Sequence, residues 1–235
     1  MNIEYNEDWI FTKNGAFETD PTDIYIHSNM LNNRVYEHEL INQVIRPYIE
    51  KAKYVVDIGA NIGCHSISYG RFNPDVTIWA FEPQKKLFDI LNRNVTINKL
   101  KNIKTFDFGV GHKEMNCTMS SLDKVYDEMK NGHNKGGLGI GHGGESIVIK
   151  TLDSLELPGL DFMKIDVEGA EGLVIKGAEN TIRKFHPTIL FEHNYQRVDP
   201  KSVDLTHIPT PFEELTKLGY NTFRHVKNDN YITEG

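Results

Sequence analysis

The chain has 235 residues, a formal net charge of −7, and 39% hydrophobic and 25% charged residues. That length suits one domain with a full core and a small appendage, and the acidic balance disfavours broad binding to nucleic acid or an anionic membrane. No apolar run reaches the roughly 18 residues of a membrane span. Cys64 and Cys117 lack any paired-motif spacing, which fits free thiols in a reducing compartment and argues against a disulfide scaffold or zinc finger. The opening MNIEYNEDWIFTKNG is too mixed and acidic for a signal peptide, so a cytoplasmic location is expected.

Residues 1–35 read as a polar N-terminal extension with two strand-like pieces, WIFT from Trp9 and DIYIH from Asp23. A single catalytic domain is expected over 36–235. In YEHELINQVIRPYIEK, the residues Leu40, Ile41, Val44, Ile45, Tyr48 and Ile49 recur at helical spacing. Pro47 is expected to kink or end that helix. KYVVDIG then predicts a strand, followed by a helix from Gly63 to about Phe72. VTIWAFE predicts the next strand, and a helix opening at Pro83 buries Leu87, Phe88, Leu91 and Val95. IKTFDFGVG reads as a third strand.

Residues 122–144 include the glycine-dense NGHNKGGLGIGHGGE and predict a mobile loop, with 131–145 a candidate lid. SIVIKTLDSL reads as a strand and then a turn or short helix, and LDFMKID as a buried strand. AEGLVIKGAENTIRKF gives one helix or two, with Gly177 a possible break. PTILFEH predicts a strand, PFEELTKLGY a helix, and the stretch from Tyr220 a closing hairpin.

Continuous apolar strands alternating with helices predict an α/β fold: a three-layer, doubly wound, mostly parallel sheet whose final hairpin adds an antiparallel strand. Ligands of such sheets sit beyond the carboxyl ends of the strands, where strand order switches. The predicted strands end at Asp57 and Gly59, at Glu82, at Gly109 and Gly111, at Asp166, and at Glu192 and His193. Acids gathered on one rim are costly as structure alone.

The turn DIGANIG bears on which nucleotide is bound. A dinucleotide fingerprint wants a glycine where Asn61 stands. A carboxylate at Asp57 opposes a diphosphate and favours a cation. S-adenosylmethionine carries a sulfonium and an ammonium and no phosphate, and the amides from Gly59 to Gly63 can hold its carboxylate at a helix N-terminus. Glu82, ending the next strand, suits a ribose diol, which NAD enzymes also hold this way. An NAD-dependent oxidoreductase therefore stays as an alternative, as does a catalytically silent cofactor-binding protein on the same fold.

The blocks VVDIGANIGCHS, FEP, VIKTLDSL, FMKIDVEGAE and GAENTIRKFHPTILFE resemble successive signature blocks of the FkbM-type methyltransferases, which have the class I S-adenosylmethionine-dependent fold. The likeness spans about residues 36–193, and Tyr36-Glu37 resembles that family's N-terminal helix entry. It implies a seven-stranded sheet with a reversed last strand. It also implies that Asp57, Gly59, Asn61 and Gly63 surround the methionine part of the cofactor and Glu82 holds the ribose. Gly109 and Val110 lie near adenine, and Glu37, Ser66, Pro83 and Asp166 complete the expected cofactor-binding set. The family activity implied is O-methylation of a hydroxyl on a sugar, glycan or small natural product, by in-line transfer.

Such a hydroxyl needs a base. Asp166 and His193 are the candidate catalytic residues, with Glu168 and Glu192 as weaker ones. Asp166, Glu192 and His193 show no diagnostic metal spacing, and no metal is expected. His133 and His142 are read as part of the flexible loop. Glu171 is read as a helix N-terminal acid facing the helix dipole. Lys85, Lys86, Arg93, Lys99, Lys101 and Lys104 read as a solvated face without the aromatic platform of a nucleic-acid surface. The expected partner is a small-molecule or glycan acceptor.

Overall fold

The structure, a computed structural model, describes residues 9–31, 33–120, 136–193, 198–203 and 205–235. The hairpin β1 (Trp9–Thr12) and β2 (Gly15–Glu18) precedes helix α1 (Ile24–Met30). A π-helical turn over Leu40–Ile45 runs into α2 (Arg46–Ile49). Then follow β3 (Tyr54–Ile58), α3 (Cys64–Phe72), β4 (Thr77–Phe81), α4 (Lys85–Ile97) and β5 (Ile103–Phe106). Next are β6 (Gly109–Val110), β7 (Met115–Ser120), β8 (Ile140–Gly141) and β9 (Gly143–Lys150). The chain closes with β10 (Phe162–Ile165), α5 (Glu171–Lys176), α6 (Glu179–Phe185), β11 (Thr188–Glu192), α7 (Pro211–Lys217), β12 (Arg224–Lys227) and β13 (Asn230–Thr233).

The main sheet has seven strands in the order β12-β13-β11-β10-β3-β4-β5. Strands β11, β10, β3, β4 and β5 run parallel, and β13 pairs antiparallel with both β11 and β12. From β3 the order runs outward in both directions, so the switch point lies between β3 and β10. Alternation along the strands feeds two cores. Val55, Ile78, Ala80, Phe162 and Leu190 pack toward α3, α4 and the N-terminal segment. Val56, Ile58, Phe81, Met163 and Ile165 pack toward α5, α6 and α7. Successive strand residues point to opposite faces, so a strand buried on both sides must be apolar throughout.

Several sequence expectations change. DIYIH is helix α1, because Asp23 accepts a hydrogen bond from the Ile26 amide (3.1 Å) and caps it. The strand β2 was not read at all. Pro47 sits in the first turn of α2, where a missing amide costs nothing, and the irregularity falls just before it in the π-helical turn. The helix expected from Pro83 starts at Lys85. IKTFDFGVG divides: β5 joins the main sheet and β6 a second, four-stranded sheet of order β6-β9-β7-β8. Residues 140–144 of the expected loop lie in or between β8 and β9, which both pair with β7. The rest of the candidate lid, with His133, falls largely outside the described residues.

The N-terminal hairpin packs onto the body. Phe17 is fully buried, and the Asn94 side chain pairs with the Glu18 backbone while that of Asn98 pairs with Ala16. Of the basic stretch, Lys85 pairs with Asp89, Lys86 with Asp20 and Arg93 with Glu18. Among the described residues no helix is long and apolar enough to cross a membrane.

One of the tightest backbone approaches is between the ends of β3 and β10. A Cβ on Gly59 (φ +78°) would lie 1.8 Å from the Asp166 carbonyl oxygen. Gly219 (φ +97°) has nothing within 4 Å. Gly59→Ala is therefore expected to cost roughly 3 kcal/mol or more, and Gly219→Ala only the left-handed penalty of about 1–2 kcal/mol. Urea denaturation of the two variants measures the difference.

Candidate active site

A cavity of about 530 Å³ opens at the carboxyl ends of β3, β4 and β10 and is bordered by β6. Its first wall is the turn after β3. The Gly59 and Ala60 amides donate to the Phe81 carbonyl (3.0 and 2.9 Å). Asn61 adopts φ +51°, its amide donates to Glu82 Oε2 (2.9 Å), and its own Oδ1 accepts from Ile62 N (2.7 Å). Asparagine tolerates this left-handed geometry with local help from its side chain. Glu82 Oε1 accepts from Gln84 N (2.9 Å). Burial pushes the Glu82 carboxyl up to about 7, opposed by those two amides and by Lys164.

Lys164, in the middle of β10, was not picked out from the sequence. Its Nζ donates to the Gly59 carbonyl (2.9 Å) and lies 3.2 Å from Asp166 Oδ2 and 3.4 Å from Asp57 Oδ1. Burial alone depresses a lysine pKa, but the carboxylates of Asp166, Asp57 and Glu37 outweigh it and keep the ammonium charged. The available signal was a lysine inside the otherwise apolar FMKI, which a fully buried strand does not hold without a partner. In register Lys164 stands beside Asp57.

Some of the residues expected to bind cofactor lie behind the cavity wall rather than on it. Asp57 is fully buried behind the wall, and Ser66 Oγ donates to its Oδ2 (2.5 Å). Asp57 thus faces Lys164 and Ser66, and neither Asp57 nor Ser66 lines the cavity; Gly63 caps α3, also off the wall. Gly59, Asn61, Glu82, Pro83, Gly109, Val110, Asp166 and Glu37 do line it.

Three acids converge opposite. Asp166, Glu168 and Glu192 present carboxylate oxygens within 4.8 Å of one another. Burial raises both members of the Asp166–Glu192 pair. Lys164 more than reverses this for Asp166 and holds it ionised, whereas the Asp166 charge adds to the burial of Glu192 and keeps it protonated. The pair shares one proton. Oε2 of Glu192 is buried and makes no hydrogen bond among the described residues. Glu171 does more than face a helix dipole. Its Oε1 accepts from Val167 N (3.0 Å) and Gly169 N (3.1 Å) and clamps the loop that carries Glu168 at φ +55°.

His193 is off the wall. Its amide donates to the Asp229 carbonyl (2.8 Å), and its ring packs edge-on against Phe212 at 5.1 Å. His142 lies 2.9 Å from Asp199 on the surface. A second unread group stands near Glu37: His65 Nε2 lies 2.7 Å from Glu37 Oε2, and His65 Nδ1 lies 2.7 Å from the Tyr69 hydroxyl. A tyrosine proton donated to Nδ1 leaves Nε2–H to hold the Glu37 carboxylate, so a neutral imidazole suffices. Met119, Leu138, Ile147 and Ile149 of the second sheet's cluster close the remaining side with apolar surface.

The Methyltransferase FkbM domain family matches residues 57–221. The methyltransferase sdnD of Sordaria araneosa is 28% identical over 156 residues, 54% of this chain and 60% of that one. The hexuronic acid methyltransferase AglP of Haloferax volcanii is 26% identical and covers 90% of both chains. The crystal structure of methyltransferase FkbM from Methylobacillus flagellatus superposes with a TM-score of 0.52 at 18% identity, over 78% of this chain and 44% of that one, and shares the fold. The chain thus spans less than two thirds of the Sordaria protein and of the solved structure.

Lys164→Met leaves two buried carboxylates without their counter-charge and is expected to cost roughly 3–5 kcal/mol, part of it regained in the Lys164→Met, Asp57→Asn double variant. Denaturation of the variant set checks this. Glu171, pushed up to about 7 by burial, binds its proton more readily folded than unfolded. Its contribution is full below the unfolded value near pH 4.5 and is lost as pH rises through about 7. Glu171→Gln keeps an oxygen for both amides and is expected to flatten the fall in stability between pH 5 and 8, read by urea melts at each end.

Proposed function

The chain belongs to the FkbM methyltransferase family, and we propose that it transfers the methyl group of S-adenosylmethionine to a hydroxyl oxygen of a sugar, glycan or small natural product. The observation that carries this reading is the sign of charge around the cavity. Glu37, Glu82, Asp166, Glu168 and Glu192 face it, and among its described lining residues Lys164 is the permanently cationic side chain. A sulfonium and an ammonium suit that field, whereas a pyrophosphate opposes it. The site also offers what the cofactor needs: a buried acid at the end of β4 for a ribose diol, and an apolar slot at Val110, Phe81 and Ile149 for a flat base.

When bound, the cofactor supplies an electrophilic methyl: the acceptor oxygen forms the C–O bond as the C–S bond breaks, its electron pair staying on sulfur. The protein's part is positioning and proton transfer. Glu82 accepts from the ribose hydroxyls. Glu37, held by His65, faces the ammonium. Asp166, kept ionised by Lys164, takes the acceptor's proton, while Glu192 keeps its own. A glycan acceptor draws support from the hexuronic acid methyltransferase relative, which matches this chain over most of its length.

Calorimetric titration with S-adenosylmethionine, its demethylated product and NAD tests the reading; binding of NAD alone overturns it. Glu82→Ala is expected to weaken S-adenosylmethionine binding by about 10- to 100-fold. Asp166→Asn is expected to lower kcat by roughly 10²- to 10⁴-fold with cofactor affinity changed only a few-fold, measured by labelled-methyl transfer.

A further inference from the structure

Glu37 differs from Asp166, the acid with which it shares the cavity. Asp166 is matched by the Lys164 ammonium at 3.2 Å. Among the described residues no lysine or arginine makes an ion pair with Glu37. Its partners are an imidazole and an amide: His65 Nε2 lies 2.7 Å from Oε2, and Asn230 Nδ2 donates to Oε1 at 3.4 Å. The backbone is held as well. Glu37 adopts φ +55°, uncommon for a glutamate, and its carbonyl accepts from the Ile41 amide (3.0 Å) where the π-helical turn begins. The carboxylate is therefore fixed at the cavity wall with no cation in direct contact.

The fixing starts behind the wall, at Tyr69. His65 and Tyr69 stand four positions apart on α3 and share one face of it. Tyr69 is fully buried, and its ring packs edge-on against His65 at 5.5 Å and against Phe162 of β10 at 6.1 Å. Among the described residues its hydroxyl makes one hydrogen bond, to His65 Nδ1 at 2.7 Å. A buried hydroxyl hydrogen needs an acceptor, so Tyr69 donates to Nδ1. Burial first, then the nearby Asp57, Glu37 and Asp166, raise Tyr69 far above the usual tyrosine range, and the hydrogen stays on its oxygen. An Nδ1 that accepts leaves the ring hydrogen on Nε2, the atom that faces Glu37. The other tautomer turns a lone pair toward the carboxylate and leaves the tyrosine hydrogen without a partner. Tyr69 thus decides which imidazole nitrogen donates.

We propose that Tyr69, acting through His65, is a positioning residue for the cofactor: the pair holds Glu37 by donors that carry no charge, so that its negative charge is kept for the α-ammonium of S-adenosylmethionine. His65 reaches the cavity wall and Tyr69 does not. The proposal rests on the reading of the cavity as an S-adenosylmethionine site. A carboxylate held this way is costly in the empty protein, because neutral donors offset its desolvation only in part. A ligand cation supplies the rest, which a lysine in place of His65 would forestall.

The test titrates the full chain and its variants calorimetrically with two probes. S-adenosylhomocysteine carries the ammonium, and 5′-methylthioadenosine keeps the adenosine and sulfur but lacks it. His65→Leu is expected to weaken S-adenosylhomocysteine binding by about tenfold or more, and Tyr69→Phe by roughly three- to tenfold. His65→Gln, which returns a neutral donor near Glu37, is expected to stay within about threefold of the wild type. Binding of 5′-methylthioadenosine is expected to change less than about twofold throughout. Tyr69→Phe removes one oxygen and carries the test by itself if His65→Leu does not fold. Equal losses for the two probes show a merely structural role and overturn the proposal, as does unchanged S-adenosylhomocysteine affinity in Tyr69→Phe. A wild-type chain that does not bind S-adenosylhomocysteine overturns the methyl-transfer reading and this proposal with it, whereas binding that the variants leave intact overturns this proposal alone.

Discussion

The buried ammonium of Lys164 is the interaction on which the rest of the site depends. It bridges the two strands that flank the switch point, touching Asp57 and the Gly59 carbonyl at the end of β3 and Asp166 at the end of β10. Taking such a charge out of water costs several kcal/mol, and only close oxygens on several sides offset it. The same contacts fix the height of the first turn, whose backbone already lies against Asp166. Charge pairing and backbone packing therefore specify one geometry together, and neither strand end can shift without exposing an unpaired charge.

From that bridge the electrostatics of the cavity follow in order. Lys164 ionises Asp166, the ionised Asp166 keeps the proton on Glu192, and Glu171 clamps the loop that brings Glu168 alongside. A cation arriving in the cavity lowers the cost of a second charge and favours release of the Glu192 proton. Cation binding and the charge on these acids are in this way linked through a single proton.

Much of this frame was legible in the sequence. Apolar strands in alternation with helices, a glycine turn after the first, and acids at successive strand ends located the cavity and most of its wall. The errors trace to side-chain direction and to pairing between distant segments. Glu192 and His193 are neighbours at a strand end, so they face opposite ways, and Glu192 is the one turned inward. The pairing of Asp57 with Lys164 is invisible in the sequence because the two stand side by side only once the strands are in register. DIYIH alternates like a strand, but a capping aspartate decides for a helix. Residues 140–144 are rich in glycine, as loops are, yet they pair with β7 through β8 on one side and β9 on the other.

The apolar wall from the second sheet and the protonation of the acids are two sides of one arrangement. Met119, Leu138, Ile147 and Ile149 face the cavity across from the carboxylates. By excluding water they lower the local dielectric, which strengthens the pull of Lys164 on Asp166 and also raises the cost of ionising Glu192. A polar wall at the same place would solvate both acids and weaken both effects. The short strands β6 to β9 thus bear on the protonation of these acids as well as closing the site.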